Sequence, residues 1–131
     1  MNAKQISEAK SSAKFSQVVK RDTQNRPVVV NVPGHEGRRY DVIIFRYKEG
    51  DLPVLRCECL HSIQGQVHCA GGSKSFCYHC AAAVMVAVAE SKKQVVFCQS
   101  EAKARKLSNL GGMVVKCVSR ISGVAVWAVV K

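Results

Sequence analysis

Apolar and polar positions change their spacing several times along this chain, and each change marks a candidate element. Residues 3–20 carry Ile6, Ala9 and Ala13 on one helical stripe and Phe15, Val18 and Val19 on another, which predicts a Ser-rich N-terminal helix. Arg21 to Pro27 is polar and is expected to be a linker. Val28 to Val32 is β-branched and bounded by Pro27 and Pro33, which predicts a strand. Pro33-Gly34-His35-Glu36-Gly37 has turn chemistry, and Arg39 to Tyr47 returns as a second strand with Tyr40, Val42, Ile44 and Arg46 on one side. After a turn at Glu49-Gly50-Asp51, Leu52 to Glu58 is a third extended piece, and Leu60 to Ser75 reads as a loop.

The second half begins with a different pattern. Ala81 to Glu90 consists almost wholly of Ala, Val and Met, and a helix that is apolar on every side is a buried one. Ser91-Lys92-Lys93 ends it with cations at the negative end of the helix dipole. Gln94 to Cys98 predicts a strand, and a short helix is expected from Ser100, its candidate N-cap, to Leu107, closed by Gly111-Gly112. Met113 to Arg120 and Val124 to Val130 read as a hairpin turning at Ile121-Ser122-Gly123, with apolar residues on both faces and hence cover expected on both sides. No stretch repeats.

The composition agrees with a folded chain: 47% hydrophobic and 22% charged in 131 residues. The longest apolar run, Cys80 to Ala89, is about half of what a membrane-spanning helix requires, and MNAKQISEAK lacks the apolar stretch of a secretory signal. Net charge is +11 and unevenly spread. Residues 1–26 hold +4, residues 27–90 are neutral with six charges of each sign, and residues 91–131 hold +7. Such a field favours polyanions, whether nucleic acid or an acidic protein surface.

Cysteine alters the picture most. Five of the seven cysteines lie between Cys57 and Cys80, an odd total that fits reduced thiols and a metal site better than a secreted disulfide framework. An intracellular setting is therefore expected. Cys57-x-Cys59 at the end of an extended segment can place two thiolates around one ion, and Cys77-x-His79 at the start of a helix can add a thiolate and an imidazole. Two paired groups separated by seventeen residues make a far more specific signal than one cysteine pair. Cys80, directly after His79, allows a C-x-x-C second half instead. His61, His68 and Cys69 lie in the intervening loop and are expected to be bystanders, since a closed structural site needs four ligands.

The C-x-C, loop, C-x-H pattern resembles the SWIM zinc finger, and the strands before it and the Ala/Val-rich helix after it occupy the places the resemblance requires over residues 27–91. The resemblance implies one structural zinc ion on Cys57, Cys59, Cys77 and His79, with His79 preferred to Cys80, and a ββα core inside an α+β chain. It also implies a DNA-binding or protein-interaction role. On this reading residues 1–26 are a basic N-terminal segment that carries the candidate helix, 27–91 the zinc module, and 92–131 a basic strand-helix-hairpin extension packed on it.

Catalytic patterns are missing from the sequence. There is no H-x-E deaminase signature and no phosphate-binding glycine loop; Glu58 lies between two ligands, and Cys98 and Cys117 sit in apolar runs where an inert thiol is expected. The expected protein is a non-enzyme without small-molecule substrate or membrane contact, whose partner is DNA or RNA. Arg38, Arg39, Arg46, Lys48 and Arg56 on the strands, with Lys92, Lys93, Lys103, Arg105 and Lys106 after the buried helix, are the candidate phosphate contacts. The alternative is a stand-alone interaction or inhibitor module, of the kind phages and small mobile elements encode, docking on an acidic partner. A weaker third expectation is self-association through the Val114 and Val126 strands.

Overall fold

The computed structural model describes residues 3–46, 53–57, 76–109, 111–119 and 123–131. Helix α1 (Ala3–Lys14) stops earlier than its periodicity predicts, and Gln17–Arg21 forms strand β1 where helix was expected. β-Branched side chains prefer extended backbone, and Val18 pairs with Val30 and packs on the core while Val19 stays exposed. The Ser12 carbonyl closes the helix by accepting from the Phe15 amide and, at 2.7 Å, the Ser16 hydroxyl. The expected linker from Arg21 to Pro27 is a hairpin turn. The Asp22 carboxylate accepts from the Gln24 and Arg26 amides and from Arg26 Nε, and Asn25 takes a left-handed conformation, φ 62°.

Next come β2 (Pro27–Pro33), a one-turn 3-10 helix (His35–Gly37), β3 (Arg39–Arg46) and β4 (Pro53–Cys57). Helix α2 (Tyr78–Ala89), β5 (Val95–Cys98), α3 (Glu101–Ser108), β6 (Met113–Ser119) and β7 (Ala125–Val130) complete the described elements. The fold is mixed α+β: these three helices and one seven-stranded sheet ordered β1-β2-β3-β4-β6-β7-β5. All neighbours are antiparallel except β4 and β6, which run parallel. All three segments distinguished by charge and motif therefore contribute strands to a single sheet. Strand β6 lies between β4 and β7, and β7 between β6 and β5, so the strands of Val114 and Val126 pair within the chain.

Register explains the layers. Val30 lies opposite Val42, Val42 opposite Cys57, Ile44 opposite Leu55, Cys117 opposite Val126 and Val115 opposite Ala128, so these side chains share one face. Helix α2 covers that face, and every residue from Tyr78 to Val84 is buried. Alanine is short enough to let the helix axis approach the sheet, while α1 packs against α2 through Ala9. The last turn of α2 emerges from the core: Ala89 and Glu90 are exposed, and Lys92 reverses the chain at φ 57°. There the Arg21 guanidinium grips Glu90 at 2.6 and 2.9 Å, tying β1 to the helix end, and these hydrogen bonds hold the Glu90 carboxyl below its ordinary value.

The opposite face is treated differently. Helix α3, capped as expected by Ser100 Oγ accepting from the Lys103 amide at 3.2 Å, lies over β5 and β7. Ala104 is buried there with Cys98 and Val129, and Val114 and Trp127 pack beside them. The hairpin is thus covered on both faces only in part, since Lys116, between Val114 and Val118 on the α3 side, remains exposed. Among the described residues no helix is long and apolar enough to cross a membrane.

Candidate metal centre

Strand β4 delivers Cys57 as its last residue, beside Val42 on the covered face. Helix α2 delivers Cys77 at its N-cap and His79 in its first turn. Seventeen residues lie between Cys59 and Cys77 in the sequence; β4 is interior to the sheet, and the start of α2 is the most deeply packed part of that helix. Cys57, Cys77 and His79 are each no more than 1% exposed, and one ligand atom from each lies within 4.8 Å of the others. Cys77 Sγ is 3.2 Å from His79 Nδ1.

Two sulfurs and an imidazole nitrogen are the donor set that zinc prefers, and a tetrahedral shell with Zn–S of about 2.3 Å and Zn–N of about 2.0 Å sets its donors roughly 3.5 Å apart. The observed group is on that scale and can hold a metal ion. Its setting suits thiolates as well, because the positive end of the α2 dipole lies at Cys77. The Cys77 side chain makes no capping hydrogen bond to that helix end, and its sulfur lies beside His79 Nδ1.

The His79 ring is held from two sides by aromatic neighbours, Tyr78 with ring centroids 4.1 Å apart and Tyr40 at 4.9 Å. Behind it stands Gly34. A Cβ at Gly34 would lie 2.5 Å from Tyr40 Cε2 and 3.1 Å from His79 Nε2, so the turn after β2 can approach the imidazole only as glycine. Nδ1 faces Cys77 and Nε2 faces the glycine turn, which fixes how the ring is presented. The sequence marks Gly34 as turn chemistry and Tyr40 as a strand residue; their support of His79 depends on a contact between residues far apart in the chain.

Of the other metal candidates, Cys80 is buried on α2 but does not belong to the group, and Cys59, His61, His68 and Cys69 lie outside the described residues. Cys98 and Cys117 are buried, Cys98 under α3 and Cys117 on the α2 face of the sheet.

The candidate phosphate contacts do not form one patch. Lys92 and Lys93 follow α2 on one side of the sheet, whereas Lys103, Arg105 and Lys106 are exposed on α3 on the other. Arg38 is exposed beside the Gly34 turn. Arg39 has a structural task, donating to Asn31 Oδ1 and, at 2.8 Å, to the Phe15 carbonyl. Arg56 is half-buried on β4, Arg46 ends β3, and Lys48 lies outside the described residues. The sequence reading missed Lys116, which pairs with Trp127 across β6 and β7. Lys116 Nζ stands 5.7 Å from the centre of the Trp127 ring. The available signal was the one charge interrupting the even-numbered apolar positions of β6.

No family model, no curated protein and no solved structure matches the chain. Function is therefore inferred from its own residues and their arrangement.

Proposed function

We propose that this protein is a zinc-stabilised, non-catalytic nucleic-acid-binding module, with the ion held by Cys57, Cys77 and His79 and a fourth position taken by Cys59. The observation that carries the zinc reading is the convergence of two buried sulfurs and one buried imidazole from a strand end and a helix start. An ion held by such a group contributes folding free energy directly. The order of three strands followed by the Ala/Val helix is in keeping with the SWIM resemblance, and thiolate ligands suit a reduced, intracellular compartment. A closed four-ligand shell has no position for a reacting water, so zinc is given a structural role.

Nucleic acid as partner is supported by the net charge of +11 and by its concentration after residue 91, where α3 and β6 expose Lys103, Arg105, Lys106 and Lys116. The test joins metal analysis to binding. About one zinc per purified chain is expected, and labelled single- and double-stranded oligonucleotides should raise their anisotropy with log K falling steeply against log salt. A chain that purifies and folds without metal would overturn the zinc reading. Absence of oligonucleotide binding at low salt would overturn the nucleic-acid reading and favour an acidic protein partner.

A further inference from the structure

Between α3 and the outer face of β6 and β7 lies an open groove of about 470 Å³, lined by Glu101, Arg105, Ser108, Val114, Lys116 and Trp127. Its construction follows from the sheet register. Lys116 and Trp127 are directly paired across β6 and β7, so their side chains rise together from the same face. Ala104 brings α3 down onto Cys98 and Val129, and the next turn of the helix carries Arg105 and Ser108 to the groove's edge. Trp127 is half-buried: it packs against the Ala104 cluster and also lines the groove.

Each polar group at the rim is either mobile or already oriented. Ser108 Oγ donates to the Arg105 carbonyl, and Arg105 is paired at 2.6 Å with Glu101, the one anion among the described lining residues, in an ion pair exposed to solvent. An exposed pair of this kind is easily exchanged for a stronger acceptor such as phosphate. Lys116 lies near the roughly 6 Å limit at which a cation is still attracted to an indole face. Its flexible stem and hydrated ammonium can swing to a phosphate and leave the ring to another partner.

We propose that this groove binds single-stranded nucleic acid, with one base stacked on Trp127 and the neighbouring phosphates met by Lys116 and Arg105. The inference rests on the nucleic-acid reading above and adds to it the surface and the form of the strand. An acidic side chain would satisfy the two cations but leave the indole without a partner, whereas a nucleotide uses both. In a duplex the base faces are stacked on one another, so only a splayed base reaches a ring set behind a helix. Stacking on an aromatic face with phosphate contacts on either side tolerates any sequence, so little base preference is expected.

Trp127 is the sole tryptophan, so tryptophan emission, excited selectively over tyrosine, reports on this groove alone. The experiment titrates the full chain with unlabelled oligo(dT), following tryptophan emission, and in parallel follows the anisotropy of labelled oligo(dT) and of a labelled duplex of equal length. Saturable quenching with the midpoint of the anisotropy curve is expected, with the single strand bound more tightly than the duplex. Trp127→Leu should weaken oligo(dT) binding about tenfold, and Lys116→Glu about fivefold. Because Trp127 also packs on the Ala104 cluster, Lys116→Glu is the variant that separates binding from folding: its side chain is exposed, and its melting curve should match the parent's. Binding without quenching, with Lys116→Glu equal to the parent, would overturn the groove and leave the nucleic-acid reading standing. Preference for the duplex would do the same. No binding of either form at low salt removes both.

Discussion

The two faces of the sheet put similar ingredients to opposite uses. On the α2 face, cysteine, histidine and tyrosine are sealed in: Cys57, Cys77, Tyr78 and His79 are all at most 2% exposed, and alanines allow the helix to close over them. On the α3 face a short, strongly charged helix covers only part of the strands, and an aromatic ring and two cations remain within reach of solvent. The difference lies in how the covering helix meets the sheet. A helix of small apolar side chains fits closely and excludes water, so polar atoms beneath it must satisfy one another or hold an ion. A helix anchored by a single buried alanine stands off along its flanks and leaves a groove. Stability should therefore depend on the first face and binding on the second.

Substitutions can break that separation, and the largest effect is expected at the metal centre. On the proposed zinc reading, Cys77→Ser should lose the metal and lower the melting temperature by on the order of 10 °C or more, read by metal analysis and a thermal melt. A variant that kept both would remove Cys77 from the site. Leu55→Ala, on the same face but outside the cluster, should cost about 2–5 kcal/mol by leaving a cavity while the metal content is retained, which separates packing from ligation in denaturant titrations. Gly34→Ala pushes a methyl against Tyr40 and His79 and should cost about 1–3 kcal/mol, with weaker retention of zinc against a chelator. On the α3 face, Lys106→Ala should leave the melt unchanged while weakening oligonucleotide binding slightly and lowering its salt slope by less than about one unit.

The smallest effect concerns pH. Asp22 and Glu90 both titrate below their ordinary values, Asp22 chiefly through the Arg26 amide and Glu90 chiefly through Arg21. Depressed carboxyl groups add stability that is complete above the unfolded pKa, near 4, and is lost as pH falls through the folded values. Glu90 is exposed, so Glu90→Gln should shift the melt only slightly at neutral pH and not at all in strong acid. A larger loss of stability with falling pH would point instead to protonation of the metal ligands.

Much of the architecture was legible in the chain's spacing. The buried helix showed as an apolar stretch without a polar stripe, the cap at Ser100 as a serine before a charged turn, and the strands of Val30, Val42 and Val126 as β-branched runs. Cys57, Cys77 and His79, which the structure brings together, were also visible as candidate donors, because donor type and short spacing are properties of the chain itself. Other features were not. Val18 and Val19 fit a helical stripe as well as a strand, and only pairing with β2 decided between them. Nothing in the local sequence indicates that Gly34 backs His79, or that Lys116 and Trp127 rise side by side. Sequence by itself determined most of the elements and which donors they carry, because propensity, periodicity and ligand chemistry act over a few residues. The tertiary structure alone decided which donors meet and which cations remain accessible, because strand register and helix cover are set by contacts between segments far apart in the chain.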